Sequence, residues 1–209
     1  MIAREAPGER RLVVIPMLHT ETDLGELSDR VRRETVAHAG RRAWERKQRA
    51  IERLWSEITE WSERVAIPEA GMRLYQDGLP VCGPGERDVT RTIVEDLGTR
   101  GSLNHRILLS LIERGATLEG TESPELLLAE YRLARGEAEQ DGDGTPAAHD
   151  LLEQRDRFIA QRIDATLEPH QVGVLFIGYL HNIPPHLPAG ITVEHPFDVA
   201  EALSQGAHA

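Results

Sequence analysis

The sequence of 209 residues carries a net charge of −11, with 23 arginines against one lysine and a single cysteine. A chain of this length suits one domain with its own core, its acidic balance disfavours nucleic acid and anionic membranes as partners, and the lone Cys82 excludes an intramolecular disulfide framework. No stretch approaches the roughly 20 apolar residues of a membrane helix, Met1–Arg11 is too polar for a signal peptide, and no Gly-Lys-Ser/Thr sequence supports a Walker phosphate loop; the expected location is cytoplasmic.

In chain order, an apolar run at about 12–18 predicts a first buried strand. The region 24–64 predicts an amphipathic helix or helix pair, with Gly40 as the break. Trp44, Ile51, Leu54, Trp55, Ile58, Trp61 and Val65 fall within an arc of about 120° at 100° per residue. Arg42, Arg46, Arg49 and Arg53 form the opposite, solvated face. Lys47 is the only lysine, so Schiff-base chemistry would have to use a residue of this charged run. Met72–Gln76 predicts a second strand, ending at Asp77-Gly78, and Gly83-Pro84-Gly85 reads as a plain turn.

Helices follow at about 87–98 and 103–114, the second with Ser102 as its cap. A third strand at about 116–120 runs into Ser123-Pro124, a helix start with serine as cap and proline in the first turn, and that helix extends to about 135. The segment 139–147 is expected to be a flexible loop. Its Asp141-Gly142-Asp143 lacks the sixth-position glycine and twelfth-position glutamate of a calcium loop, since Pro146 and Leu152 stand there. A helix at about 148–167 leads into a fourth strand at 172–180, a proline-rich break at 184–188, and a last strand at about 191–195. This alternation predicts an α/β fold with a mainly parallel central sheet and helices on both faces. It reads as a single domain over 1–209, with frayed tails at 1–10 and 200–209.

The chemistry-bearing residues fall at strand ends. Ile15-Pro16-Met17-Leu18-His19 closes the first strand and Ile177-Gly178-Tyr179-Leu180-His181 the fourth, while Glu21, Asp77 and Glu122 follow the first, second and third. In a parallel sheet all of them reach one edge, where ligands of open α/β folds bind. Such a cluster suits a divalent metal held by His19, Glu122 and His181, or metal-free work with histidine as base and a carboxylate orienting it. In the 148–167 helix, Arg155 falls near the centre of the apolar arc, with Asp156 at its edge. A guanidinium aimed at the core must meet carboxylates or reach a polar cleft. Tyr179 sits between the glycine and the histidine of the second phrase, in reach of a ligand; Glu194 and His195 end the last strand as candidates for the rim.

Gly178-Tyr179-Leu180-His181 resembles the Gly-x-x-His motif of the superfamily that contains TraB, TIKI, ChaN-like and erythromycin-esterase proteins, in which the motif occurs near both ends of the domain. The run Glu153-Gln154-Arg155-Asp156 to Ile163 resembles the Arg-Asp helix before the second motif of TraB-like members, and Asp77 and Glu122 match the acids after the intermediate strands. Pro16 stands where the family has glycine, and aspartate ends strand two where glutamate is commoner. The resemblance implies a hydrolase, a peptidase or esterase acting on a small-molecule or peptide substrate. Its sites would be His19, Glu21, Asp77, Glu122, Arg155 and His181, with or without a divalent metal. The alternative it implies is a ChaN-like binder of haem, iron or another small ligand, with Tyr179 and His181 as pocket groups.

Overall fold

The computed structural model describes residues 8–18, 28–83, 87–135 and 146–205. Strands β1 (Arg10–Met17), β2 (Met72–Gln76), β3 (Thr117–Glu119), β4 (Val172–Gly178) and β5 (Ile191–Glu194) form one sheet in the order β3-β2-β4-β1-β5. Every pairing in it is parallel. The helices among the described residues are α1 (Ser28–Ala39), α2 (Arg41–Arg64), α3 (Arg87–Thr99), α4 (Leu103–Glu113), α5 (Pro124–Ala134), α6 (Pro146–Thr166) and α7 (Val199–Gln205). None of them is long and apolar enough to cross a membrane. The α/β class expected from the sequence is the observed one.

The pleat sorts the strand residues onto two faces. Val13, Ile15, Leu74, Val174 and Phe176 pack against Ile51, Leu54, Trp55 and Ile58 of α2 and Ile107, Leu108 and Leu111 of α4. Leu12, Val14, Tyr75, Leu175 and Ile177 pack against Ile159, Ala160 and Ile163 of α6. Burial on both faces explains why the central strand β4 is an unbroken apolar run rather than an alternating one. Tyr75 is wholly buried in this second layer, its hydroxyl 2.9 Å from Thr166 Oγ1, and burial pushes the phenol up to about 12.

Several boundaries differ from those expected. Helix α1 and helix α2 meet at Gly40, whose φ of 82° belongs to the left-handed region that glycine tolerates. Strand β4 stops at Gly178, not at residue 180, because its ladder partner β1 ends at Met17, opposite Gly178. Tyr179 and Leu180 form a turn closed by His181 N–H donating to the Gly178 carbonyl at 3.1 Å. Residues 146–147, expected in a flexible loop, begin α6, while 136–145 lie outside the described residues. The expected frayed tail is helical as far as Gln205, and Arg10 is already in β1. Ser102 precedes α4 but does not cap it; its hydroxyl bonds to Asn104 instead.

The exits of β2 and β3 are stitched together. The Leu79 carbonyl accepts from Thr121 N at 2.9 Å and Glu122 N at 3.0 Å, and Val81 N donates to the Glu122 carbonyl at 2.8 Å. Gly120 makes this approach feasible, since a Cβ there would lie 2.5 Å from the Pro80 carbonyl oxygen and 2.6 Å from Val81 Cα. Both are backbone atoms that cannot swing aside. Gly120→Ala is therefore expected to lower stability by about 1–3 kcal/mol, the usual cost of overpacking, as read from the midpoint of urea unfolding. An unchanged midpoint would show that the two exits separate freely.

Candidate functional site

The chain leaves β2 toward β3 and leaves β4 toward β5, at opposite edges of the sheet, so the gap above the β2–β4 pair is where connections diverge. A cleft of about 840 Å³ opens there. On the α6 side its lining includes Asp77, Glu130, Arg155 and His181; on the α2 and α4 side it includes Met17, Gln76, Ser102 and Asn104, with Lys47 at the same wall.

Arg155 is the hub of the first wall. It reaches up from α6 with its side chain only 5% exposed. Its Nε donates to Glu122 Oε2 at 3.2 Å. Its Nη2 donates to Glu122 Oε1 at 2.6 Å and to Asp77 Oδ1 at 2.8 Å. Its Nη1 donates to Glu130 of α5. The planar guanidinium thus makes the two-pronged contact with Glu122 that lysine lacks the shape to make. Burial works against the charge on Arg155, but the bond to Glu122 and the charges of Glu122, Asp77 and Glu130 outweigh it and raise its affinity for the proton. Burial pushes the fully enclosed Glu122 carboxyl above its usual range; Arg155 pulls it back, and the neighbouring charge of Asp77 adds to the rise.

The residue after Arg155 serves the second group. Asp156 Oδ1 lies 2.5 Å from His181 Nδ1, and its Oδ2 accepts from Asn182 N at 2.8 Å. With Asp156 ionised, Nδ1 carries the proton, and the open lone pair of a neutral imidazole is on Nε2. That nitrogen is 3.6 Å from Asp77 Oδ2, which also accepts from Gly178 N at 3.0 Å. Burial disfavours the imidazolium, yet the Asp156 hydrogen bond and the charge of Asp77 win, and the His181 pKa is raised above its ordinary 6.5.

The structure therefore brings together Asp77, Glu122, Arg155 and His181, all expected from the sequence. His19 and Glu21 lie outside the described residues; Leu18, just before them, is tied down by Trp55 Nε1 donating to its carbonyl at 3.0 Å. Tyr179 also lines the cleft, 61% exposed. Glu194 does not join the rim: β5 ends opposite Val13, below the top of β1, and Glu194 pairs with Arg11 at 2.7 Å. Asp156, Glu130, Gln76 and Asn104 join the cleft without being among the site residues expected from the sequence. The polar Gln76 on the core-facing register of Met72 and Leu74 was the available signal; nothing in the sequence marks Glu130.

Asp77, Glu122 and His181 offer ligand atoms within 4.8 Å of one another, a spacing a divalent ion would accept. Both Glu122 oxygens and Asp77 Oδ1, however, already accept from Arg155, whose charge sits between the two carboxylates. This donor set does not fit a divalent ion while Arg155 is in place. It does not fit haem ligation by His181 either, with Nδ1 held by Asp156 and Nε2 facing Asp77.

No family model matches the chain, and no curated protein and no solved structure matches it either.

Two expectations follow from the geometry. Arg155→Met should cost about 3–5 kcal/mol in urea unfolding, because it strands buried carboxylates, and adding Glu122→Gln should recover part of that loss. His181 titrated by NMR should show its raised pKa fall in Asp156→Asn. Because the folded value lies above the unfolded one, the stability this group contributes is present below about 6.5 and lost as pH rises through the folded pKa; the Asp156→Asn protein should lose the part of that dependence due to Asp156.

Proposed function

We propose that the chain is a hydrolase that cleaves an acyl bond of an ester, lactone or peptide, with His181 as general base. The observation that carries this reading is the His181–Asp156 pair, whose Nε2 edge meets Asp77 in a cleft large enough for a small-molecule or peptide substrate. Asp156 holds the imidazole in one tautomer and stabilises the cation that forms, the role an orienting carboxylate plays in histidine-based hydrolysis. Nε2 takes a proton from a water poised beside Asp77. The water oxygen bonds to the carbonyl carbon, and the same proton then passes to the leaving alkoxide or amine as the C–O or C–N bond breaks.

The raised pKa makes His181 a stronger base than a free imidazole, able to take a proton and then return it. Arg155 is a positioning residue, since four of its five N–H donors go to Glu122, Asp77 and Glu130. The resemblance of the Gly178–His181 phrase and the Arg155–Asp156 helix to the TraB, TIKI and erythromycin-esterase superfamily supports the same class of reaction. The occupied donor set favours a metal-independent form of it.

A panel of chromogenic esters, lactones and peptides tests this reading. The wild-type protein should hydrolyse at least one member, His181→Ala should abolish the activity, and Asp156→Asn should lower kcat by about 100-fold or more. Dialysis against a chelator should leave the rate unchanged. Activity that survives the loss of His181 would sink the assignment of the base, and activity lost on chelation and restored by a divalent ion would overturn the metal-independent form.

A further inference from the structure

The opposite wall of the cleft carries an arrangement that packing does not require. Gln76 and Asn104 are 2% and 5% exposed, buried carboxamides beneath the cleft. Each has two N–H donors. Gln76 Nε2 gives one to the Asp77 carbonyl at 2.9 Å. Asn104 Nδ2 gives one to Gln76 Oε1 at 3.0 Å. The second donor of each goes to the same atom, Met17 Sδ, at 3.4 Å from Gln76 and 3.3 Å from Asn104.

A thioether is a weak acceptor, so two buried N–H groups converge on a sulfur that satisfies neither well. Their orientation is fixed from behind. Ser102 Oγ, itself 2.9 Å from His105 Nδ1, donates to Asn104 Oδ1 at 2.6 Å, which turns Nδ2 forward. The Asp77 carbonyl does the same for Gln76. Methionine is unbranched with three rotatable bonds, so Sδ leaves such a position more readily than a branched side chain would.

We propose that the Gln76 and Asn104 carboxamides form a carbonyl-oxygen subsite, in which Met17 Sδ stands where a ligand oxygen binds. Two preorganised N–H donors converging on one point are what a polarised carbonyl, or the oxyanion it becomes, requires. Among the described residues every partner of the two carboxamides is uncharged, which suits the carbonyl of a neutral ester or amide. As the seat of the scissile carbonyl the subsite rests on the hydrolase reading above; as a binding site it is testable without any turnover.

The probe is N-methylacetamide, with acetate as the control, followed by NMR of the Gln76 and Asn104 side-chain amides and the Met17 methyl. N-methylacetamide should shift all three signals, and acetate should not. Met17→Leu keeps the volume and removes the sulfur. It should bind the probe on the order of tenfold more tightly, because the oxygen then relieves two N–H groups left without an acceptor. Unmoved amide signals, a Met17→Leu protein that binds no tighter, or a preference for acetate would each overturn the subsite. His181→Ala separates the two claims. Probe binding retained while hydrolysis is lost supports both. Probe binding by a wild-type protein that hydrolyses nothing leaves the subsite standing and the hydrolase reading fallen. Hydrolysis without probe binding does the reverse.

Discussion

The site depends on one buried cation. Arg155 joins the exit of β2 through Asp77, the exit of β3 through Glu122 and helix α5 through Glu130. Buried ion pairs add little net stability once desolvation is counted, so the value of this one lies in what it excludes. Glu122 is fully enclosed and flanked by Asp77, and only a guanidinium with donors on several edges satisfies both carboxylates together. Any shift of α6 along the sheet would separate the charge from its partners. The rotational setting of α6 is therefore fixed at Arg155, and the next residue, about 100° further round the helix, is delivered to His181. A structural contact and a chemical one are thus adjacent in sequence because one constrains the other.

The sheet order makes this convergence possible. Strand β4 is inserted between β1 and β2, so the turn that follows it carries His181 into the gap beside Asp77. Gly178 ends that strand with its N–H on Asp77 Oδ2, and a Cβ there would lie 3.0 Å from the same oxygen. The carboxylate is consequently held from both sides, by Arg155 on Oδ1 and by the β4 backbone on Oδ2.

Much of the fold is legible in the sequence because apolar runs and their breaks report it. The unbroken run 172–177 marks a strand buried on both faces, and the 3.6-residue stripe of Ile51, Leu54, Trp55 and Ile58 marks the face of α2 that meets it. The end of β4 is not legible, because Tyr179 and Leu180 continue the apolar run; only the ladder, which stops at Met17, ends the strand at residue 178. In the site, Asp77, Glu122 and His181 are legible as polar residues following strands, and Arg155 as a charge on an apolar face. Asp156 is half legible, at the edge of that face. Glu130 is not, since a glutamate on an exposed helix has no local mark of the guanidinium that reaches it across space.

The two walls of the cleft solve opposite electrostatic problems. On the α6 side, charged groups are buried and must neutralise one another, which leaves Arg155 with most of its donors engaged. On the α2 and α4 side, the buried polar groups are neutral amides and a hydroxyl, which cost far less to desolvate than ions do. Neutral donors keep their direction without a counter-charge, provided their other atoms are bonded, and Ser102, Gln76 and the Asp77 carbonyl provide this. Charge that develops on a ligand between the walls would thus meet the His181 imidazole on one side and fixed dipoles on the other. Gln76 is the last residue of β2 and Asp77 the first beyond it, its N–H still on the Phe176 carbonyl at 2.9 Å, so two consecutive residues at this exit supply one side chain to each wall.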